Sequence, residues 1–263
     1  MKEKIKAHCE KLEKEKNITI LFAIENGSRV WRMESKDSDY DVRFVFVRPL
    51  KEYIQINKPN DVIEAAFDEK GNPCGAEGAL IDMAGFDIFK FVKMLSSSNP
   101  TVIEWLISDI VYHGKQNTVF KEFAIEQFHP ITLYHHYKSM CRNNYLKYLK
   151  SGDAVTYKKY LYAYRGLVNA KWVVNKKTVP PIVFSEAFGA MKGILPDRIL
   201  NRLQEIIKLK AQGKEKESIQ NIAEMDEYIE SFLKDRSEEP KEKSHATLNI
   251  LNEELRRIIC NQE

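Results

Sequence analysis

Apolar positions along the chain divide it into a strand-rich front and a helical rear. In residues 1–16, Ile5, Cys9 and Leu12 recur at spacings of four and three among lysines and glutamates, the repeat of an amphipathic helix. "ITILFAI" (18–24) is a continuous apolar run of strand length. Gly27-Ser28 closes it and can open a short helix that packs through Val30, Trp31 and Met33. "DVRFVFV" (41–47) predicts a second strand, stopped by Pro49. "DVIEAAF" (61–67) and "GALIDMA" (78–84) flank the turn-rich "DEKGNPCGAE" and predict a long hairpin. "GFDIFKFVKMLSSSNP" then reads as a helix ending before Pro100, and "TVIEWLIS" as another. From about residue 130 the period is helical almost to the end, with helices expected over 131–150, 154–174, 196–212, 216–234 and 245–260.

This order predicts an α+β chain in two domains, 1–125 and 126–263, and 263 residues suffice to bury a core in each. Hydrophobic residues at 43% and charged residues at 30% set aside wholesale disorder. The net charge of +3 is too small to argue for nucleic acid by itself, though it leaves room for a local basic patch. "KAQGKEKES" and "KDRSEEPKEKSH" read as solvated connectors. Cys9, Cys74, Cys141 and Cys260 form no C-x-x-C pair, so neither a zinc knuckle nor a disulfide framework is expected. The charged N-terminus lacks a signal-peptide core, and no run approaches the ~18 apolar residues of a membrane span. These features predict a soluble cytoplasmic protein with no membrane partner.

The sequence chemistry concentrates in "NGSRVWRMESKDSDYDVRFVFVRP" (26–49). In a strand beginning at Ser38, Asp39 and Asp41 would project from one face, with Arg43 following on that side. Ionised carboxylates this close repel unless a cation lies between them. Magnesium suits such a pair, because it takes oxygen ligands and is commonly held by one or two carboxylates plus substrate phosphates. The Gly27-Ser28 turn lets backbone approach a ligand closely, so a triphosphate would lie between turn and metal. A D-x-D pair alone is more often an exposed turn. The ordered series of strand, Gly-Ser, ten-residue spacer, D-x-D and strand is far more specific.

In the rear half, "YKKYLYAYRGLVNAKW" places Lys158, Tyr162, Arg165 and Asn169 along one helical face. Interleaved cations and aromatics can clamp phosphates and stack a base, although tyrosines at helical spacing are more often packing residues. His135 and His136 are adjacent and so do not share a face, and no zinc site is read there. No nucleophile elbow or P-loop motif appears.

Gly27, Ser28, Asp39 and Asp41 resemble, position by position, the motif of the DNA polymerase β-like nucleotidyltransferase superfamily. More narrowly, "GSRVWRMESKDSDYDVRFVFVRP", "IDMAGFDIFKFVKMLSSSNPTVIEWLIS" and "KKYLYAYRGLVNAKW" are similar to its YcgL/RlaP branch, named for a role near RNA ligases in RNA repair. The resemblance implies a catalytic domain with a mixed sheet and flanking helices, followed by a mainly helical nucleotide- and acceptor-binding domain. It also implies a third carboxylate on a neighbouring strand. Asp82, in the apolar "LIDMAG", is the first choice, with Asp87 and Glu64 as rivals. The expected chemistry is transfer of a nucleoside monophosphate from an NTP such as ATP to a hydroxyl. Two Mg2+ ions, or Mn2+, would be held by Asp39, Asp41 and Asp82. Gly27, Ser28, Arg43, Lys159 and Arg165 would contact the nucleotide, with Arg29 and Lys158 as further candidates. The acceptor is left open between an RNA end, a small molecule and a protein. A nucleotide-binding regulatory module without turnover is the non-enzymatic alternative.

Overall fold

The structure is a computed structural model that describes residues 1–35, 38–75, 77–151, 154–214, 217–237, 239–240 and 248–261. Two compact units form. The first comprises Met1–Val30, Asp39–Gln127 and His245–Glu263, and the second Trp31–Ser38 and Phe128–Ser244.

In the first unit the elements run α1 (Lys2–Lys16), β1 (Thr19–Asn26), β2 (Tyr40–Val47), α2 (Leu50–Tyr53), β3 (Val62–Phe67), β4 (Ile81–Asp87), α3 (Ile88–Ser96), α4 (Pro100–Ile107), β5 (Val111–Gly114) and α5 (Thr118–Glu126). The five strands make one mixed sheet in the order β3-β4-β2-β1-β5. Only β2 and β4 pair in parallel. Ile5, Cys9 and Leu12 of α1 join Val42, Phe44, Phe46, Ile81 and Met83 in one core, so the predicted amphipathic helix covers one face of the sheet. The opposite face is packed by α3 and α4, with Phe22 edge-on to Phe91 and Phe86 tilted against Trp105, ring centroids 5.8 and 4.7 Å apart. The expected hairpin is β3 and β4, paired antiparallel. The short strand β5, beyond the predicted elements, pairs with β1.

Residues 27–32 form a turn rather than the short helix that Gly27-Ser28 suggested. Gly27 (φ 75°) and Arg32 (φ 56°) are both left-handed, which interrupts any right-handed helical run. Val30, Trp31 and Met33 are nonetheless buried.

The second unit is helical: α6 (Pro130–Asn144) continued by a π-helical stretch (Tyr145–Lys150), then α7 (Tyr157–Lys176), α8 (Phe184–Gly189), α9 (Asp197–Ala211) and α10 (Ala223–Lys234). The helix expected from residue 216 begins at Ala223. Residues 215–216 and 241–247, on which parts of the two charged connectors fall, lie outside the described residues. At its centre α7 is buried without a break from Ala163 to Lys171. Gly166 lets α6 approach closely, since a Cβ there would lie 2.6 Å from Cys141 N and 2.7 Å from Tyr137 O. The last helix, α11 (Asn249–Cys260), returns to the first unit and packs on α3 and α5. Among the described residues, no helix is long and apolar enough to cross a membrane.

Candidate active site

The parallel register of β2 and β4 sets Asp41 opposite Asp82. Val42, Phe44, Ile81 and Met83 enter the core under α1, so by alternation Asp41, Arg43 and Asp82 share the other face. Arg43 joins the two carboxylates. Its Nη2 donates to Asp82 Oδ2 at 2.8 Å and to Asp41 Oδ1 at 3.4 Å, while its Nη1 donates to the carbonyls of Val42 at 2.9 Å and Asp82 at 3.1 Å. The Asp41 and Asp82 side chains keep 34% and 42% of their surface exposed, so the cluster is open to a ligand.

Asp39 lies one residue ahead of β2, which begins at Tyr40 rather than at Ser38. Its side chain is exposed, and its carbonyl oxygen accepts from Arg29 Nε at 3.1 Å. The Arg29 guanidinium stacks over the Tyr40 ring, 3.8 Å from its centroid. The turn and the carboxylates meet at Gly27, where a Cβ would lie 2.1 Å from Asp41 Oδ2. Only glycine accommodates both that contact and the positive φ. Ser28 beside it is buried.

Beneath this surface sits Glu25, fully buried and absent from the sequence expectations. Its Oε1 accepts the Asp41 N–H at 3.0 Å and its Oε2 accepts the Tyr112 hydroxyl, while Ser108 Oγ donates to its carbonyl at 2.8 Å. Burial pushes the carboxyl up to about 7, against the lowering effect of the bonds from Tyr112 and Asp41. The available signal was an acid placed directly after an apolar run and two residues before Gly27.

The two rivals to Asp82 stand elsewhere. Asp87 caps α3, accepting the Phe89 N–H at 2.9 Å and the Tyr53 hydroxyl at 2.8 Å, and its own burial raises its pKa. Glu64 is exposed on β3, paired with Ala84. In the second unit, Lys158 and Lys159 line an open pocket of about 310 Å³ with Asn144, Tyr148, Thr156 and Tyr162. Lys159 Nζ lies 5.5 Å from the Tyr148 ring centre. Arg165 is buried instead, its guanidinium 3.6 Å from the centre of the Trp31 ring.

Among the described residues, no three His, Cys, Asp or Glu side chains already converge as a metal cage. The donor set still fits a hard divalent cation, because two adjacent carboxylates completed by substrate oxygens are a common magnesium ligand set. An α+β unit whose parallel strands align two carboxylates behind a Gly-Ser turn is what a DNA polymerase β-type nucleotidyltransferase requires. The chain belongs to the RlaP family, the RNA repair pathway DNA polymerase beta family, whose sequence model matches residues 1–257. It is also 30% identical over 263 residues to uncharacterized protein YcgL of Bacillus subtilis (strain 168), an alignment covering 99% of this chain and 96% of that protein. No solved structure matches.

Proposed function

We propose that this chain is a divalent-metal-dependent nucleotidyltransferase that moves a nucleoside monophosphate from an NTP to an acceptor hydroxyl and releases pyrophosphate. Membership of a polymerase β-type family supports the class. The observation that carries the reading is the pairing of Asp41 with Asp82 on one open sheet face, with Gly27 against Asp41.

Asp41 and Asp82, joined by Asp39 and by phosphate oxygens, would hold Mg2+ or Mn2+. Such ions supply charge neutralisation on the phosphates and a lowered pKa at the acceptor hydroxyl. Asp82 Oδ1, the oxygen not engaged by Arg43, accepts the hydroxyl proton. Arg43 is anchored through Nη1 to two carbonyls, and its Nη2 moves from the carboxylates to a phosphate oxygen as nucleotide arrives. Gly27 and Ser28 bring the turn backbone to the phosphates; within the second unit, Lys159 with Tyr148 and Tyr162 forms a basic, aromatic pocket of its own that suits a nucleotide. Arg165 holds Trp31 in place.

The test is incubation with labelled NTPs, Mg2+ and total RNA, followed by asking whether label reaches RNA, a small molecule or the protein itself. Transfer that is lost in Asp41→Asn supports the reading. A second reading, nucleotide binding without turnover, is favoured by one observation: the Arg43 guanidinium already pairs with both carboxylates. NTP binding with no label on any acceptor would select it.

A further inference from the structure

His135, Lys138, Ser139 and Arg142 lie at i, i+3, i+4 and i+7 on α6, which places them on one helical face. Together with Leu233, Arg236 and Glu239 they line an open pocket of about 380 Å³. Lys138 is the fixed cation of the group. Its Nζ donates to the Asp235 carbonyl and, at 3.2 Å, to the Tyr134 hydroxyl, lies 5.5 Å from the Phe232 ring centre, and pairs with Glu239 at 3.8 Å. The nearby Asp235 carboxylate is occupied by the Ser237 N–H and hydroxyl.

Arg142 and Arg236 are different. Both are exposed, and neither has an ion pair or side-chain hydrogen bond among the described residues. Two uncompensated guanidinium forks beside a third cation and a hydroxyl suit the geminal oxygens of a phosphate. The pocket lacks the exposed phenyl or phenol faces on which bases stack, so it suits a backbone rather than a base. His135 to Arg142 spans roughly 10 Å along the helix axis, enough to follow a strand past a single phosphate. The whole second unit leans the same way, with 23 lysines and arginines against 16 aspartates and glutamates.

We infer that the α6 face of His135, Lys138, Ser139 and Arg142, completed by Arg236, binds the phosphodiester backbone of an RNA strand. The choice of RNA rests on the nucleotidyltransferase reading, whereas the anion site does not. The contact is independent of sequence and holds the acceptor strand through its phosphates.

Fluorescence anisotropy of the full chain with a labelled single-stranded RNA of about 20 nucleotides, titrated from 50 to 200 mM NaCl, tests it. The double variant Arg142→Ala/Arg236→Ala should weaken binding about tenfold or more at the lowest salt. It should also reduce the slope of log K against log salt by about 1.4, that of two single-strand phosphate contacts. Arg142→Glu alone should weaken binding further than Arg142→Ala. NTP binding should stay unchanged in all these variants, and RNA affinity should survive Asp41→Asn, so failure of the metal-site reading would register separately. Unchanged RNA affinity and salt slope in the double variant, or no RNA binding by the parent protein, overturns the proposal. Equal affinity for a multiply phosphorylated peptide or for anionic phospholipid vesicles, lost in the same variants, overturns the assignment to RNA.

Discussion

The sheet unit and the helical unit carry opposite net charge and arrange it by different means. The first has 18 lysines and arginines against 22 aspartates and glutamates, a net of −4, while the second has 23 against 16, a net of +7. In the sheet unit, acids are set by ladder register: Asp41 stands opposite Asp82 because β2 and β4 pair there, and a slip of one residue would turn either side chain to the other face. In the helical unit, cations stand along helix faces, as on α6, where Lys138 is held by its neighbours while Arg142 is exposed and makes no ion pair among the described residues. A sheet fixes a few charged atoms closely, as chemistry demands. A helical face offers a broader, more forgiving field, as strand binding demands.

The largest test of that contrast is Asp82→Asn. Transfer should fall by about 100-fold or more, equivalent to some 3 kcal/mol of transition-state stabilisation. Thermal melts should move by at most ~1 kcal/mol, because the Asp82 side chain keeps 42% of its surface exposed and solvent screens the pair. A destabilised but active protein would make Asp82 a structural residue.

Next comes the acid beneath the surface. The folded Glu25 carboxyl binds its proton up to about 7, well above its ordinary 4.5. Between those values the native state holds more protons than the unfolded chain, so unfolding free energy falls as pH rises through that window. In chelator-treated protein, denaturant melts from pH 5 to pH 8 should show a loss of about 3 kcal/mol from this group. Glu25→Gln should flatten the slope, and an unaltered slope would break the link between this carboxyl and the sheet unit's stability.

Gly27→Ala should cost about 1–3 kcal/mol, since the new Cβ meets Asp41 Oδ2 and the backbone is left-handed. Mn2+ affinity, read by electron paramagnetic resonance, should fall with it. Smallest is Lys158→Ala in the helical unit. It should shift stability by less than ~0.5 kcal/mol yet weaken NTP binding several-fold, because this exposed cation lines the pocket and touches its surroundings only loosely, 6.0 Å from the Tyr162 ring centre.

Much of this layout was legible in the sequence where a single element carries the signal. "ITILFAI" and "DVRFVFV" became β1 and β2, and the isolated acid in "LIDMAG" fell within β4. What escaped depends on partners distant in the chain. Glu25 looks like the end of an apolar run until Tyr112, Ser108 and the Asp41 amide bury it as part of β1. At four residues, β5 has too short a pattern to register alone. Arg165 shares a helical face with Lys158, yet Trp31, far away in sequence, converts it to a buried stacking partner. On α6 the sequence singles out only the His135–His136 pair, and no zinc site with it; Lys138 and Arg142 gain meaning only when Arg236 completes their pocket from nearly a hundred residues downstream.

The return of α11 to the sheet unit affects how the protein is made. Leu251, Ile258 and Ile259 bury against that unit, whose α3 and α5 they help to cover, and Asn117 donates to Glu254 there. During synthesis the helical unit's residues 128–244 leave the ribosome before α11 does. The carboxylate-bearing unit therefore waits, with an apolar surface uncovered, until α11 has been synthesised. Nascent chains stalled before residue 249 should recruit chaperones through that surface, and the sheet unit should gain full protease resistance only after α11 is released.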